Sequence, residues 1–290
     1  MTRWTAADIG DQTGRRFIVT GANSGLGAST ARELARAGAF VVLACRNTTK
    51  GSAAAASMPG RVDVRQLDLA DLASVRSFAQ GIEHVDVLVN NAGIMAVPKA
   101  KTADGFESQI GTNHLGHFAL TGLLLPKITD RVVTLSSYAH RVGKINIDDL
   151  NWERRRYQRW GAYGQSKLAN LMFAYELQRR LAATGSPVRS LAAHPGYAAT
   201  ELQSHTESFQ DRFMALGNRL MAQSADMGAL PELYAATVKT LRGGEFIGPD
   251  GRLGINGHPK VVGSNTASKD GAKAAELWRL SERLTGVAYP

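Results

Sequence analysis

Arg16-Phe17-Ile18-Val19-Thr20-Gly21-Ala22-Asn23-Ser24-Gly25-Leu26-Gly27 is the stretch on which the fold turns. An apolar, strand-like run leads straight into three glycines. Leu26, Thr30, Leu34 and Ala37 then recur at helical spacing as far as Gly38, a natural C-cap. A strand that turns into a helix through glycines brings backbone N–H groups and the positive helix end to one point, where a pyrophosphate fits. The spacing departs from the usual G-x-G-x-x-G, so its place between strand and helix carries more weight than the glycines themselves. Gly21, Asn23, Ser24, Gly25, Leu26 and Gly27 form the expected phosphate cradle.

Outward from this turn the pattern repeats. Apolar runs at 40–44, 62–67, 85–89, 131–136, 188–193 and 245–248 predict further strands, and helical periodicity marks 106–125, 163–183, 226–241 and 268–284. An irregular stretch occupies 197–225, and a Gly/Pro/Asn-rich loop is predicted over 248–266. Alternating strands and helices require a parallel sheet with right-handed crossovers. The expected fold is a single doubly wound α/β domain of the Rossmann type over residues 1–290, with about seven parallel strands and helices on both faces.

Composition agrees with one large core. The chain has 290 residues, 30 of them glycine, and Cys45 is its lone cysteine, which excludes an intramolecular disulfide and suits a reducing compartment. The first residues lack an apolar segment of signal-peptide length, and no run reaches about 18 apolar residues, so a cytoplasmic protein is expected. Net charge is +9, densest at Glu153-Arg154-Arg155-Arg156-Tyr157-Gln158-Arg159 between Trp152 and Trp160. No nucleic-acid recognition module accompanies that run, and a solvated loop is the expectation.

Ligand chemistry gathers at the strand ends. An acidic residue after the second strand would hold the ribose 2′-hydroxyl of NAD; Cys45 and Arg46 stand there instead, and a guanidinium can clamp a 2′-phosphate. NADP(H) is therefore expected over NAD(H). Asp68 and Leu69 are placed to meet the adenine. Asn90, Ala92 and Gly93 end the fourth strand, where the Asn pair can bind or tie strands together.

Tyr163 and Lys167, four residues apart at a helix start, form a proton-transfer pair. A phenol titrates at about 10 when unperturbed, and a neighbouring ammonium lowers that value toward working pH. Ser137 follows the fifth strand and can orient a carbonyl, with Ser136 the runner-up. Asn113 is a polar residue inside a helix that can hold a water near Lys167. Pro195 and Gly196 break the chain after the sixth strand, and Thr200 follows at a distance suited to a nicotinamide carboxamide. His114 and His117 have a metal-compatible spacing but no third ligand nearby, so no metal is expected.

Taken in order, Thr20 to Gly27, Ala44 to Arg46, Asn90 to Gly93, Lys101 to Phe106, Asn113 to Phe118, Ser136-Ser137, Tyr163 to Lys167 and Pro195-Gly196 resemble a short-chain dehydrogenase/reductase, and within that superfamily its retinol dehydrogenase-like branch. The resemblance implies a tetrad of Asn113, Ser137, Tyr163 and Lys167. Tyr163 would be proton donor or acceptor, Ser137 the carbonyl orienter, Lys167 the pKa setter and ribose clamp, and Asn113 the water holder. It implies hydride exchange between NADP(H) and a hydrophobic aldehyde, ketone or alcohol. The long spacing from Ser137 to Tyr163 resembles an insertion of that branch, around 141–160, shaping the mouth of the site.

Substrate contacts are expected from 94–100, 138–160 and 197–225. The last holds Tyr197, Leu202, Phe209, Phe213, Met214, Leu216, Leu220 and Met221, a lid over an apolar substrate or a core-packing face. Wide apolar faces on 106–125 and 163–183 point to a homodimer or homotetramer. Two other classes compete: a catalytically silent NADP(H)-binding regulator, which has no need of a poised tyrosine and lysine, and a sugar-nucleotide epimerase, which needs a larger C-terminal domain.

Overall fold

Eight strands pair in the order β3-β2-β1-β4-β5-β6-β7-β8. The computed structural model describes residues 3–196 and 224–290. Strands β1 (Arg16–Thr20), β2 (Phe40–Cys45), β3 (Arg61–Gln66), β4 (Val85–Asn90), β5 (Ile128–Leu135), β6 (Arg189–Ala193) and β7 (Phe246–Pro249) are parallel; β8 (Pro259–Val261) is antiparallel to β7. The order reverses between β1 and β4, so the carboxyl ends of these two strands open a crevice at the switch point. The eighth strand falls inside the segment expected to be a loop. It is three residues long, begins with proline and lies at the sheet edge, too short for any periodicity to show.

Helices α1 (Gly25–Arg36), α2 (Thr48–Ala55) and α3 (Leu72–Gln80) follow the first three strands. Helix α4 is continuous in path but not in kind: Ser108–Ile110 and Gly116–Leu124 are α-helical, and Gly111–Leu115 between them is a π turn. Helix α5 (Arg159–Ala183) is followed by β6, and α6 (Ala225–Thr237) and α7 (Gly271–Thr285) complete the set among the described residues. Two apolar layers sandwich the sheet. One joins β1, β2 and β5 to α3–α5 through Ile18, Phe118, Val132 and Phe173, and the other packs α1 and α6 against Phe17, Val19, Val87 and Leu191.

Helix α6 stops at Thr237, earlier than its periodicity suggests, because Val238 turns extended. The buried guanidinium of Arg131 donates to the carbonyls of Ala235 and Val238 at 2.9 Å each, so β5 supplies the cap that closes this helix.

The apolar faces that pointed to self-association are covered from within. Trp278 of α7 stacks on Phe173 of α5 at 5.7 Å and meets Phe118 of α4 at 5.1 Å; the Tyr289 hydroxyl donates to the Phe118 carbonyl at 2.7 Å. Those helix faces therefore supply no argument for a homodimer or homotetramer.

Candidate active site

The glycine cradle is built by contacts that tolerate no side chain. Gly21 has φ +67°, and a Cβ there would lie 3.0 Å from the Cα of Ala92. A Cβ on Gly27 would come within 2.5 Å of both the Gly21 carbonyl and the Asn91 amide nitrogen. The turn therefore packs directly on the end of β4. Ser24 occupies the N-cap of α1 but makes no side-chain cap, while Asn47, Asp71 and Asp270 cap α2, α3 and α7. That combination of glycine turn and uncapped helix start fits a dinucleotide pyrophosphate, with the backbone of Asn23 to Gly27 as its ligands. Leu26 buries its side chain under the sheet and contributes main chain alone.

Thr20 holds this half together. Its hydroxyl oxygen accepts the amides of Asn91 at 3.0 Å and Ala92 at 2.9 Å and meets His117 Nε2 at 2.9 Å. His117 Nδ1 donates to the Asn113 carbonyl at 3.0 Å, so Nε2 is an acceptor for the threonine proton. Burial pushes His117 down to about 3, which keeps the ring neutral. His114 is also buried, lowered to about 4, and bonds Ser281 Oγ at 2.9 Å. These two histidines join helices to the strand ends. Asn90 likewise ties β4 to its neighbours, its amide donating to Thr121 Oγ1 at 2.9 Å. Leu69 packs in the core, and Asp68 Oδ1 accepts the Ala70 amide at 2.9 Å.

Arg46 is exposed immediately beyond β2, and no acidic side chain stands between it and the end of the strand. Cys45 is buried beside it, its thiol pushed up by burial and donating to the Asn47 carbonyl at 3.4 Å.

Ser137, Tyr163, Lys167 and Asn113 converge at the carboxyl ends of β4 and β5. Ser137 lies close enough to the Tyr163 phenol to pull its pKa down, against a larger upward push from burial. The lowering expected from Lys167 is not seen: the ammonium lies 5.8 Å from the ring centroid, and burial raises the phenol. Lys167 Nζ donates to the Leu135 carbonyl at 3.3 Å and reaches Gly93 so closely that a Cβ there would be 3.3 Å away. Burial lowers this ammonium to about 8, with Glu232 pulling the other way. Asn113 uses its whole amide on structure: Oδ1 accepts the Ile94 amide at 2.8 Å, and Nδ2 donates to the Ile94 carbonyl and Ser166 Oγ at 2.9 Å each. Any water would therefore be held by its main-chain carbonyl, within the π turn. Ser136 is fixed elsewhere, donating to the Lys167 carbonyl at 2.8 Å.

The insertion at 141–160 is more than a solvated loop. Arg155 stacks 3.6 Å above the Trp152 ring and donates to Gln165 Oε1 at 2.6 Å, while Tyr157 donates to Glu107 at 2.9 Å. Arg155 and Tyr157 thus clamp the segment onto α5 and the start of α4, and Trp160 is left edge-on to Tyr163 at 6.2 Å. Pro195 and Gly196 (φ +70°) leave β6 as expected. Thr200 and the apolar residues from Tyr197 to Met221 lie outside the described residues.

Three residues escaped the sequence reading. Ser166 links Asn113 to the Tyr163 carbonyl, Thr20 organises the cradle, and His140 Nδ1 donates to the Ser137 carbonyl at 2.6 Å. The π turn has no periodicity signature, but a His three residues after Ser137 is a polar anomaly that short-range spacing makes visible.

Residues 15–211 match the short chain dehydrogenase family, and the chain belongs to it. It is an oxidoreductase of alcohol and carbonyl groups that works with a nicotinamide dinucleotide. Within the family it is retinol dehydrogenase-like. It is 43% identical to Homo sapiens retinol dehydrogenase 13, over 96% of this chain and 86% of that one. Identity to Mus musculus polyprenol dehydrogenase is 40%, over 95% and 85% of the two chains. A crystal structure of an uncharacterized protein from Mycobacterium Paratuberculosis superposes with a TM-score of 0.88 at 58% identity, covering 100% of both chains. A short chain dehydrogenase from Burkholderia cenocepacia J2315 in complex with NADP shares the fold, with a TM-score of 0.64 at 22% identity over 81% and 95% of the chains. Among the described residues no helix is long and apolar enough to cross a membrane.

Proposed function

We propose that this protein transfers hydride between NADP(H) and a hydrophobic aldehyde, ketone or alcohol, with Tyr163 as the proton donor and acceptor. The observation that carries the reading is the meeting of a buried Tyr163 with Lys167, whose ammonium lies 5.8 Å from the phenol ring and reaches Gly93, with Ser137 close enough to bias the phenol. The dinucleotide supplies or takes the hydride. In reduction, Tyr163 Oη delivers a proton to the carbonyl oxygen as it becomes an alkoxide, and Ser137 Oγ donates to the same oxygen and orients it. Burial keeps the phenol protonated until that charge develops, and the Lys167 ammonium stabilises the phenolate left behind. Asn113 positions this pair through Ser166 and the Ile94 main chain, and its carbonyl lies where a water can return the proton from solvent.

The exposed guanidinium of Arg46 and the lack of a carboxylate after β2 support NADP(H) over NAD(H). The retinol and polyprenol dehydrogenases among its relatives support an apolar substrate. The test is NADPH consumption against a panel of apolar aldehydes and ketones, with NADH in parallel and Tyr163→Phe as control. Turnover with NADPH that the variant loses is the expected result. Faster turnover with NADH overturns the reading of Arg46, and cofactor binding without any turnover favours a regulator.

A further inference from the structure

A cavity of about 430 Å³ opens on the β6–β8 side of Ser137, bounded by Tyr138, His140, Arg141, His194, Phe246 and Lys260. Its volume falls in the usual range of small-molecule sites. Among the described residues no carboxylate lines it. The nearest acid along its wall, Asp250, turns into the hairpin and accepts the His258 amide at 2.8 Å. Arg141 and Lys260 enter no ion pair among the described residues; Arg141 lies 4.9 Å over the Tyr138 ring.

The two histidines at the floor have opposite polarity. His140 Nδ1 donates to the Ser137 carbonyl at 2.6 Å, which leaves Nε2 an acceptor, buried and without a partner. His194 Nδ1 accepts the Gly196 amide at 3.3 Å, which leaves Nε2 carrying the proton. Both rings pack on Phe246, at 5.5 and 5.1 Å. One N–H donor at the floor and two cations at the rim, with no acid opposing them, form a receptor for negative charge.

We infer that this cavity binds the anionic head group, carboxylate or phosphate, of an amphipathic substrate whose carbonyl reacts at Ser137 and Tyr163; it rests on the proposed function for the reacting end alone. Arg141, Lys260 and the His194 N–H hold the anionic oxygens. His140 Nε2 takes a hydroxyl proton of the head group or of a bridging water. Tyr138 lines the cavity and follows Ser137 directly, which sets the cavity beside the reacting pair.

Two measurements on the intact chain separate the possibilities. In the first, a long-chain dicarboxylate, an alkyl phosphate and the matching neutral alcohol, none of them reducible, are titrated into the protein by calorimetry. The anionic ligands are expected to bind at least about tenfold more tightly than the alcohol. An Arg141→Gln/Lys260→Gln double variant, altered at exposed positions, is expected to lose that advantage, and whichever anion gains more identifies the head group. In the second, NADPH-dependent reduction is compared for equal-length aldehydes ending in methyl, carboxylate or phosphate. The double variant should raise KM for the anionic aldehydes about tenfold and leave kcat/KM for the neutral one unchanged. Equal affinity for charged and neutral ligands overturns the inference, as does an equal loss for both in the variant. If no aldehyde is reduced but charge-selective binding persists, the proposed reaction fails and the anion site stands.

Discussion

The two halves of the sheet's carboxyl edge are built differently. At the β1–β4 end most polar groups satisfy one another: Thr20 bonds Asn91, Ala92 and His117, and Asn113 uses its whole amide on Ile94 and Ser166, with Asn90 Oδ1 and Glu232 Oε2 as exceptions. At the β5–β8 end, among the described residues, His140 Nε2 has no partner, Arg141 and Lys260 enter no ion pair, and the exposed large apolar side chains gather: Tyr138, Val142, Trp160, Leu253 and Val261. A half that receives the same dinucleotide in every turnover can be rigid and self-satisfied. A half that selects a substrate has to leave groups for the substrate to satisfy.

The largest effect expected from testing this contrast is on chemistry. Tyr163→Phe keeps the ring packing and removes the proton, so turnover should fall on the order of 10²–10⁴-fold while cofactor binding, followed by NADPH fluorescence, is unchanged. Loss of binding in parallel would place Tyr163 in the rigid half instead.

Next comes Glu232, buried beneath the cradle with one oxygen accepting from Thr30 and the other unpartnered. Burial raises it from 4.5 to about 8. The folded chain therefore holds a proton that the unfolded chain releases, and stability falls as pH rises from about 4.5 to about 8. Lys167, lowered from 10.5 to about 8, adds stability above that window. Glu232→Gln should gain on the order of 4 kcal/mol at pH 8.5 and little at pH 5, read by urea unfolding without cofactor. The same gain at both values would show that another group titrates.

Gly27→Ala tests the closeness of the rigid half. A methyl 2.5 Å from the Gly21 carbonyl should cost about 1–3 kcal/mol in thermal unfolding and weaken NADPH. An unchanged NADPH affinity would mean that the turn can open at no cost.

The smallest effect sharpens the boundary between the halves at adjacent serines. Ser136→Ala removes a bond to the Lys167 carbonyl and should cost about 1 kcal/mol of stability with turnover little changed, whereas Ser137→Ala, which gives up only a 3.2 Å bond from the Ala139 amide, should act chiefly on kcat. His140 belongs with Ser137: His140→Ala should lower kcat several-fold, and His140→Asn, whose amide can occupy the Nδ1 position and donate to the Ser137 carbonyl, should restore it. Equal kcat in both variants would remove His140 as a positioning residue.

Most of the rigid half, and the Tyr163–Lys167 step beside it, was legible in the chain because the signals are local. The Gly21 to Gly27 turn, the buried runs of β1 and β2 and the Tyr163–Lys167 step each lie within one element, where spacing maps directly onto geometry. The relation of Arg155 to Trp152 is also close in sequence, yet a basic run reads as solvated until Gln165 and Asp149 are known to face it. Strand β8 was missed because three edge residues carry no period, and the early end of α6 because its cap comes from Arg131, about a hundred residues earlier.

Local sequence determined the order of elements, the glycine turn, the family and the four residues that meet at the carboxyl ends of β4 and β5, since strand and helix periods and backbone conformations are short-range properties. Tertiary structure alone tied Ser136 to the Lys167 carbonyl, tethered the Asn113 side chain to Ile94 and Ser166, and packed α7 on the apolar faces of α4 and α5. It also set the phenol of Tyr163 above its ordinary value. Each of these depends on which distant groups share a buried space, and desolvation and hydrogen-bond direction exist only once the chain has closed around them.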